Sequence, residues 1–265
     1  MMKKDENMFA EERKQKIVDL VNRETKTTVD FLCETFSVSP ATIRNDLRDL
    51  EGSGLLKRTH GGAISNRQVT YEPNFGQKEI ENKLAKEAIG RFATQYIQRG
   101  DSIIIDTGTT TYEMAKQLVG CEDLTVITND LQIAAFLERN SNAVIIMPGG
   151  TIRRHYHYVS GSTVTDTIRK LNVDKAFIAA NGVSIKRGLT SPNMDTAVIK
   201  SEFIGAADEV IVLADSSKVE QNKFVKFADF ANIDLMITDE AVDPAFVEEA
   251  KKVGVDVQIA YQSEI

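Results

Sequence analysis

The sequence predicts an α/β protein, with an N-terminal winged helix-turn-helix followed by a mostly parallel α/β domain. Two features point there. Residues 37–63, SVSPATIRNDLRDLEGSGLLKRTHGGA, place a turn, a capped helix and a basic hairpin in one short run. From residue 102 onward, short runs of Ile, Val and Leu alternate with helical segments, the pattern of parallel strands buried on both faces. The expected boundaries are 1–63 for the first domain, 64–77 for a linker and 78–265 for the second domain.

In the first domain, residues 9–23 read as an amphipathic helix with Ile17, Leu20 and Val21 inward. A shorter helix starts near Thr28, with Val29, Leu32 and Phe36 on its core side. The turn Phe36-Ser37-Val38-Ser39 leads into a third helix, and Val38 fills the gap between the two. Ser39 is a good N-cap, since its hydroxyl accepts a bond from a first-turn amide. Pro40 takes the first helical position, where no N–H is needed. Ile43, Leu47 and Leu50 share one face, leaving Thr42, Arg44, Asn45 and Arg48 outward. These are side chains that read base edges and phosphates, and the second helix of such a pair lies in the major groove. Gly52 and Gly54 stop the helix, and 55–60 reads as a strand ending at Gly61-Gly62, a basic wing. The candidate DNA contacts are Ser39, Ala41, Thr42, Arg44, Asn45 and Arg48 on the helix, with Lys57, Arg58 and His60 on the wing. A three-helix unit with two solvent-facing arginines also occurs in proteins that never meet DNA. The coincidence of cap, turn, polar face and basic wing favours DNA.

The length of 265 residues fits two domains with real cores. A net charge of −7 argues at first against nucleic acid. Residues 1–68, however, hold twelve Lys and Arg against eleven Asp and Glu, so the remainder carries −8. The acidic excess lies away from the proposed DNA face, and nonspecific affinity should be modest and salt dependent. Cys33 and Cys121 form no disulfide framework or zinc pattern. No signal peptide and no membrane-length apolar run is present, so a soluble, cytoplasmic protein is expected.

The second domain opens with an expected helix over 78–98, whose stripe is Ile80, Leu84, Ala88, Phe92 and Ala93. Strands follow at 102–105, 124–128, 143–147, 175–179, 209–213, 235–238 and 255–260. Helices are expected at 111–119, 130–138, 161–171, 196–206 and 244–252. Ligands of such sheets bind beyond the carboxyl ends of the strands. The first strand ends in Asp106-Thr107-Gly108-Thr109-Thr110-Thr111, where a glycine, hydroxyls and free helix amides suit an anion such as phosphate. Other strand ends read Thr128-Asn129-Asp130, Pro148-Gly149-Gly150 and Asp215-Ser216-Ser217-Lys218. Each has a plain alternative: the threonines cap a helix, the glycine pair turns the chain, Asp215 is only an N-cap and Lys218 is a solvated charge. Their common edge points to a pocket for a polar, phosphorylated molecule.

Residues 42–63 resemble the winged helix-turn-helix of the DeoR family of bacterial transcriptional regulators. The resemblance continues through DTGTTTYEMA (106–115), TVITND (125–130), PGG (148–150), GLTSPNMD (188–195), the segment around Lys200, ADSSKV (214–219) and LMITD (235–239). It implies a sensor domain similar in fold to ribose-5-phosphate isomerase that binds a phosphorylated sugar. By that resemblance Thr109, Thr110 and Thr111 hold phosphate, and Asp106, Asn129, Lys200, Asp215 and Lys218 line the pocket, with Gly108 and Gly150 as close-approach glycines. Three positions depart from the family pattern. Asn45 stands where a second basic residue is usual, and asparagine pairs with adenine where arginine pairs with guanine. Glutamate is frequent near Asp195, and an aromatic residue at Val219.

His155 and His157, with Arg153 and Arg154, form the one other suggestive cluster, but a metal site needs three or four ligands. A polar loop with solvated arginines is expected there, with no metal and no cofactor. An isomerase would need a carboxylate base at the sugar carbon. The strand end Ala179-Ala180-Asn181-Gly182 offers none. The expectation is therefore a non-enzymatic repressor of a carbohydrate-utilisation operon, controlled by a sugar phosphate and acting on operator DNA as a homo-oligomer, dimer or tetramer. The alternatives are a sugar-phosphate enzyme with a DNA-binding appendage, and a DNA-binding scaffold with an empty pocket.

Overall fold

The computed structural model describes residues 9–24, 26–65 and 69–262. Two compact units make up the chain, Met1–Tyr71 and Glu72–Ile265. The first contains α1 (Ala10–Glu24), β1 (Lys26–Thr28), α2 (Val29–Phe36), α3 (Pro40–Gly52), β2 (Leu56–Thr59) and β3 (Gly62–Ser65). Thr28 caps α2 by accepting from the Phe31 amide at 3.2 Å, and Ser39 caps α3 by accepting from the Thr42 amide at 3.2 Å. Ile17, Val21, Leu32, Ile43, Leu47, Leu50 and Leu56 are buried together. Each such side chain contributes about 1.5–3 kcal/mol. The three helices thus pack as their periodicity requires, and Val38 sits half-buried against that core.

The wing is more than a hairpin. β1 pairs antiparallel with β3, giving the sheet order β1-β3-β2. Three residues with no apolar alternation carried no signal for β1. Gly62 makes the pairing possible, since a Cβ there would lie 2.0 Å from the Thr27 carbonyl oxygen. A domain end at residue 63 would cut β3, which runs to Ser65. Of the expected linker 64–77, residues 66–68 lie outside the described residues and 75–77 are helical.

The second unit begins with α4 (Phe75–Ile80) and α5 (Lys83–Ala93), then β4 (Ser102–Ile105), α6 (Thr109–Ala115), β5 (Thr125–Ile127), α7 (Leu131–Asn140) and β6 (Val144–Ile146). A hairpin follows, β7 (Thr151–Arg153) with β8 (Tyr158–Ser160), then α8 (Ser162–Ile168) and β9 (Val173–Ala179). Next come β10 (Gly182–Ser184), β11 (Gly188–Ser191), α9 (Met194–Gly205), β12 (Ala207–Leu213), β13 (Val225–Ala228), β14 (Leu235–Asp239), α10 (Pro244–Lys252) and β15 (Asp256–Ala260). The seven apolar runs all enter one sheet, ordered β15-β14-β12-β9-β4-β5-β6 and parallel throughout. Alternate residues feed its two faces. Ile103, Ile105, Phe177 and Ile211 pack with Ile89, Met114 and Ile133, while Ile104, Ala176, Ile178 and Val212 pack with Val164, Phe203 and Phe246.

The single helix expected over 78–98 is broken. Asn82 adopts the left-handed conformation (φ 50°) between α4 and α5, and α5 gives way to a 3-10 turn at Thr94–Tyr96. The break resets the helical stripe: Ala85, Ala88, Ile89 and Ala93 are buried, whereas Ile80 and Leu84 are exposed. The β7–β8 hairpin and the small antiparallel sheet β10-β11-β13 were also invisible in the sequence. Their strands span three or four residues, too few to show a period.

Candidate functional site

On α3, Ser39, Ala41, Arg44, Asn45 and Arg48 are exposed, and Thr42 is half-buried. Ser39 and Thr42 also share a hydroxyl contact of 2.9 Å, so both serve the cap. Arg48 donates to Asn45 Oδ1 at 3.1 Å. Asp46 is the residue that periodicity missed. It is buried and accepts from Arg13 of α1 through Nε at 2.7 Å and Nη2 at 3.2 Å. On the wing, Lys57 and Arg58 fall on opposite faces of β2. Arg58 is bound to Glu51 of α3, Nε to Oε2 at 2.6 Å, while the Arg58 amide donates to Oε1 at 2.9 Å. Those bonds hold the Glu51 carboxyl below its ordinary value. Arg58, expected as a DNA contact, is exposed like Lys57 and His60, and its bonds to Glu51 also tie the wing to α3.

In the Glu72–Ile265 unit, the carboxyl ends of β4, β5, β9 and β12 gather the polar residues. Asp106 is fully buried beside Lys200, whose Nζ also donates to the Ala179 carbonyl at 2.8 Å. The Ala179 amide donates to Asp106 Oδ2 at 3.0 Å. Burial pushes the Asp106 carboxyl above the usual carboxylate range, against the pull of Lys200 and the Ala179 amide. Asn129 donates to the Val159 carbonyl at 3.0 Å. Asp130 caps α7 and accepts from the Thr107 hydroxyl at 2.6 Å, which makes Thr107 part of the site. Asp215 Oδ1 accepts from Asn82 Nδ2 at 2.9 Å and from Ser217. Burial works against the charged Asp215, yet Lys218, Ser217 and Lys86 hold it below its ordinary value. Three acceptors in this group, Asp106 Oδ1, Asn129 Oδ1 and Asp215 Oδ2, are buried without a hydrogen bond among the described residues.

Two lysines absent from the sequence reading join Lys200 and Lys218. Lys78 pairs with Glu72 at 3.0 Å. Burial holds its ammonium below the ordinary lysine range, and Lys200 and Lys218 add to that. Lys86 is buried, and its Nζ donates to the carbonyls of Lys78 and Glu81. Arg153, expected as a solvated charge, instead donates to Glu72 at 2.7 Å and to the Tyr158 hydroxyl at 2.5 Å. Burial pushes the Tyr158 phenol up to about 12. His155 and His157 lie in the turn of the β7–β8 hairpin with left-handed backbones, and His157 stacks edge-on against Phe75. Glu72 lies 6 residues from Lys78 and 81 from Arg153, and Glu81 lies 5 from Lys86, spacings that form no recognisable motif.

The expected glycine and threonine roles divide. A Cβ on Gly108 would meet the Ala179 Cβ at 2.7 Å, and one on Gly150 would meet the Ser160 carbonyl oxygen at 2.5 Å. Both glycines are required by packing. Thr111 donates to the Gly108 carbonyl at 3.0 Å, closing the first turn of α6. Thr109 and Thr110 are buried beside it. The arrangement offers clustered ammonium groups for an anion and unpaired acceptors for hydroxyl groups.

The model of the DeoR-like helix-turn-helix domain matches residues 13–69, and that of the DeoR C terminal sensor domain matches residues 81–240. The HTH-type transcriptional regulator GlpR of Haloferax volcanii is 37% identical over 250 residues, covering 94% of this chain and 98% of its own. The HTH-type transcriptional repressor GlcR of Bacillus subtilis is 33% identical over 257 residues, covering 97% and 99%. A putative aga operon transcriptional repressor of Escherichia coli O157:H7 is 30% identical over 248 residues, covering 93% and 92%. Among solved structures, ribose 5-phosphate isomerase A of Methanocaldococcus jannaschii aligns at 17% identity over 52% of this chain and 54% of that one, with a TM-score of 0.38.

Proposed function

Because the chain belongs to the DeoR family of DNA-binding transcriptional regulators, we propose that it represses a carbohydrate-use operon and that a phosphorylated sugar governs its hold on operator DNA. The observation that supports the effector assignment is a group of lysines in which Lys78, on α4, feels Lys200 and Lys218, and Lys86, on α5, feels Lys78 and Lys218. They sit in the part of the chain whose formal charge is strongly negative. A phosphate answers the ammonium groups, and sugar hydroxyls answer Asp106 Oδ1, Asn129 Oδ1 and Asp215 Oδ2. Thr109 and Thr110 stand ready as further phosphate ligands, with Thr111 holding the turn.

On the DNA side, Arg44, Asn45 and Arg48 read bases from α3, while Lys57 and His60 meet the backbone from the wing. One short helix reads too few bases to be specific, so a symmetric oligomer bridging two half-sites is proposed. No turnover is assigned. Asp106, the carboxylate best placed to act as a base, is held by Lys200 and the Ala179 amide. A helix long and apolar enough to cross a membrane is absent among the described residues.

A thermal-shift screen of pentose and hexose phosphates tests the effector assignment. A ligand at a hundred times its dissociation constant adds about 2.7 kcal/mol of stability. A flat response across the panel would reject the assignment.

A further inference from the structure

We infer that β6, an edge strand of the seven-stranded sheet, pairs antiparallel with β6 of a second copy of this chain, about a two-fold axis at Ile145. The sheet has two edges, β15 and β6. An edge strand presents unpaired N–H and C=O groups, and an edge kept free of partners is commonly blunted by charge, proline or a bulge. On β15, Asp256 is exposed and accepts from Gln258 at 2.7 Å. Within β6 there is no charge, no proline and no break in its register with β5. Residues 140–152 hold no charged side chain at all, in a chain where 27% are charged. The Val144 amide donates to the Leu124 carbonyl at 2.9 Å, and the Thr128 amide donates to the Ile146 carbonyl at 3.1 Å. Residues 144 and 146 therefore bond toward β5. Bonding direction alternates along a strand, so the N–H and C=O of Ile145 face the open edge.

The side chains say which partner fits. Val144 and Ile146 share one face of the sheet and are 62% and 36% exposed, whereas Ile145 packs on the other face with the cluster that holds Ile133 and Leu137. A partner strand centred on Ile145 exchanges both backbone bonds with it through its own Ile145. That register sets Val144 of each copy directly opposite Ile146 of the other. Over residues 140–150 every residue then meets an uncharged one, so self-pairing brings no like charges together. A strand paired with itself in this way is isologous and closes at two copies. Two-fold symmetry is what spanning two half-sites requires. The inference thus names an interface for the oligomer proposed above and rests on that reading. β5, the neighbour of β6, carries Asn129 and Asp130 at its carboxyl end, so these members of the candidate pocket lie one strand from the interface.

Sedimentation velocity of the full chain over a range of concentrations tests the pairing, with circular dichroism as the check on folding. The wild type forms a dimer or a multiple of it. Val144→Lys with Ile146→Lys sets like charges opposite each other at both positions and weakens this interface about tenfold to a hundredfold. The same change adds two positive charges to a chain of net charge −7, which by itself eases association, so weaker association reports the pairing. Val144→Glu with Ile146→Lys sets opposite charges together in the same register and self-associates about tenfold more tightly than the first variant. An unchanged dissociation constant in the first variant, or no recovery in the second, overturns the self-pairing of β6 and leaves the oligomer standing on another surface. A monomeric wild type, with the edge left to another protein or to none, overturns both. If the variants fail to fold, hydrogen exchange at the Ile145 amide of the wild type decides. An amide as protected as those of β5 supports the pairing, and one that exchanges like an exposed loop overturns it.

Discussion

Asp46→Ala should unfasten the DNA-reading helix without touching its outer face. Asp46 and Arg13 are 4% and 9% exposed and share two hydrogen bonds, of 2.7 and 3.2 Å. Removing the carboxylate strands a guanidinium in the interior. Breaking one side of a buried pair costs about 3–5 kcal/mol. A small domain is stable by only about 5–15 kcal/mol, so the winged helix would approach its limit. Native-state hydrogen exchange of the α1 and α3 amides is the appropriate assay, because it reads this unit apart from the larger one. A loss of about 3 kcal/mol accelerates exchange through global opening by roughly 150-fold. The double variant Arg13→Met with Asp46→Leu removes both charges and should recover most of the loss. Exchange accelerated less than about fivefold, or a double variant as labile as the single one, would refute the reasoning.

Four further outcomes follow from the same geometry. Gly62→Ala drives a Cβ against the Thr27 carbonyl, so β1 should part from β3 and the unit should lose about 1–3 kcal/mol, seen in thermal melts. Lys57→Ala should reduce the salt slope of operator binding by about one, whereas Arg58→Ala should move the slope less and stability more, because Glu51 already holds Arg58. Asn45→Arg should shift base preference from adenine toward guanine, checked by selection from randomised operators. Lys86 keeps its proton to about 8 when folded, against 10.5 when unfolded. Between those values the unfolded state binds more protons, so ligand-free stability rises with pH, by on the order of 3 kcal/mol in full. Urea unfolding at both ends of that window should show the rise in the wild type and its loss in Lys86→Gln.

The fold was largely legible because its signals are local. Ser39 and Pro40 start α3 by capping chemistry, and seven β-rich apolar runs each found a place in one parallel sheet. What could not be read depends on distant partners. β1 exists because Gly62 admits the Thr27 carbonyl, and the break at Asn82 is held by a bond to Asp215, 133 residues away. The site shows the same division. Asp106, Asn129, Lys200, Asp215 and Lys218 stand in recognisable motifs at strand ends. Lys78 and Lys86 stand in no such motif, and they fall on two short helices, α4 and α5, where one long helix was expected. At Gly108 and Gly150 a Cβ would strike Ala179 and the Ser160 carbonyl, a packing demand between distant segments that the local sequence does not announce.

The most direct test of effector-controlled DNA binding is fluorescence anisotropy of labelled operator titrated with the full chain, with and without the sugar phosphate that best raises its melting temperature. The operator dissociation constant should change by about 5- to 150-fold, the usual range for coupled sites. The double variant Thr110→Val with Lys218→Ala should bind operator like the wild type and ignore the sugar phosphate. An operator affinity that stays constant while the sugar phosphate demonstrably binds the wild type would contradict the account.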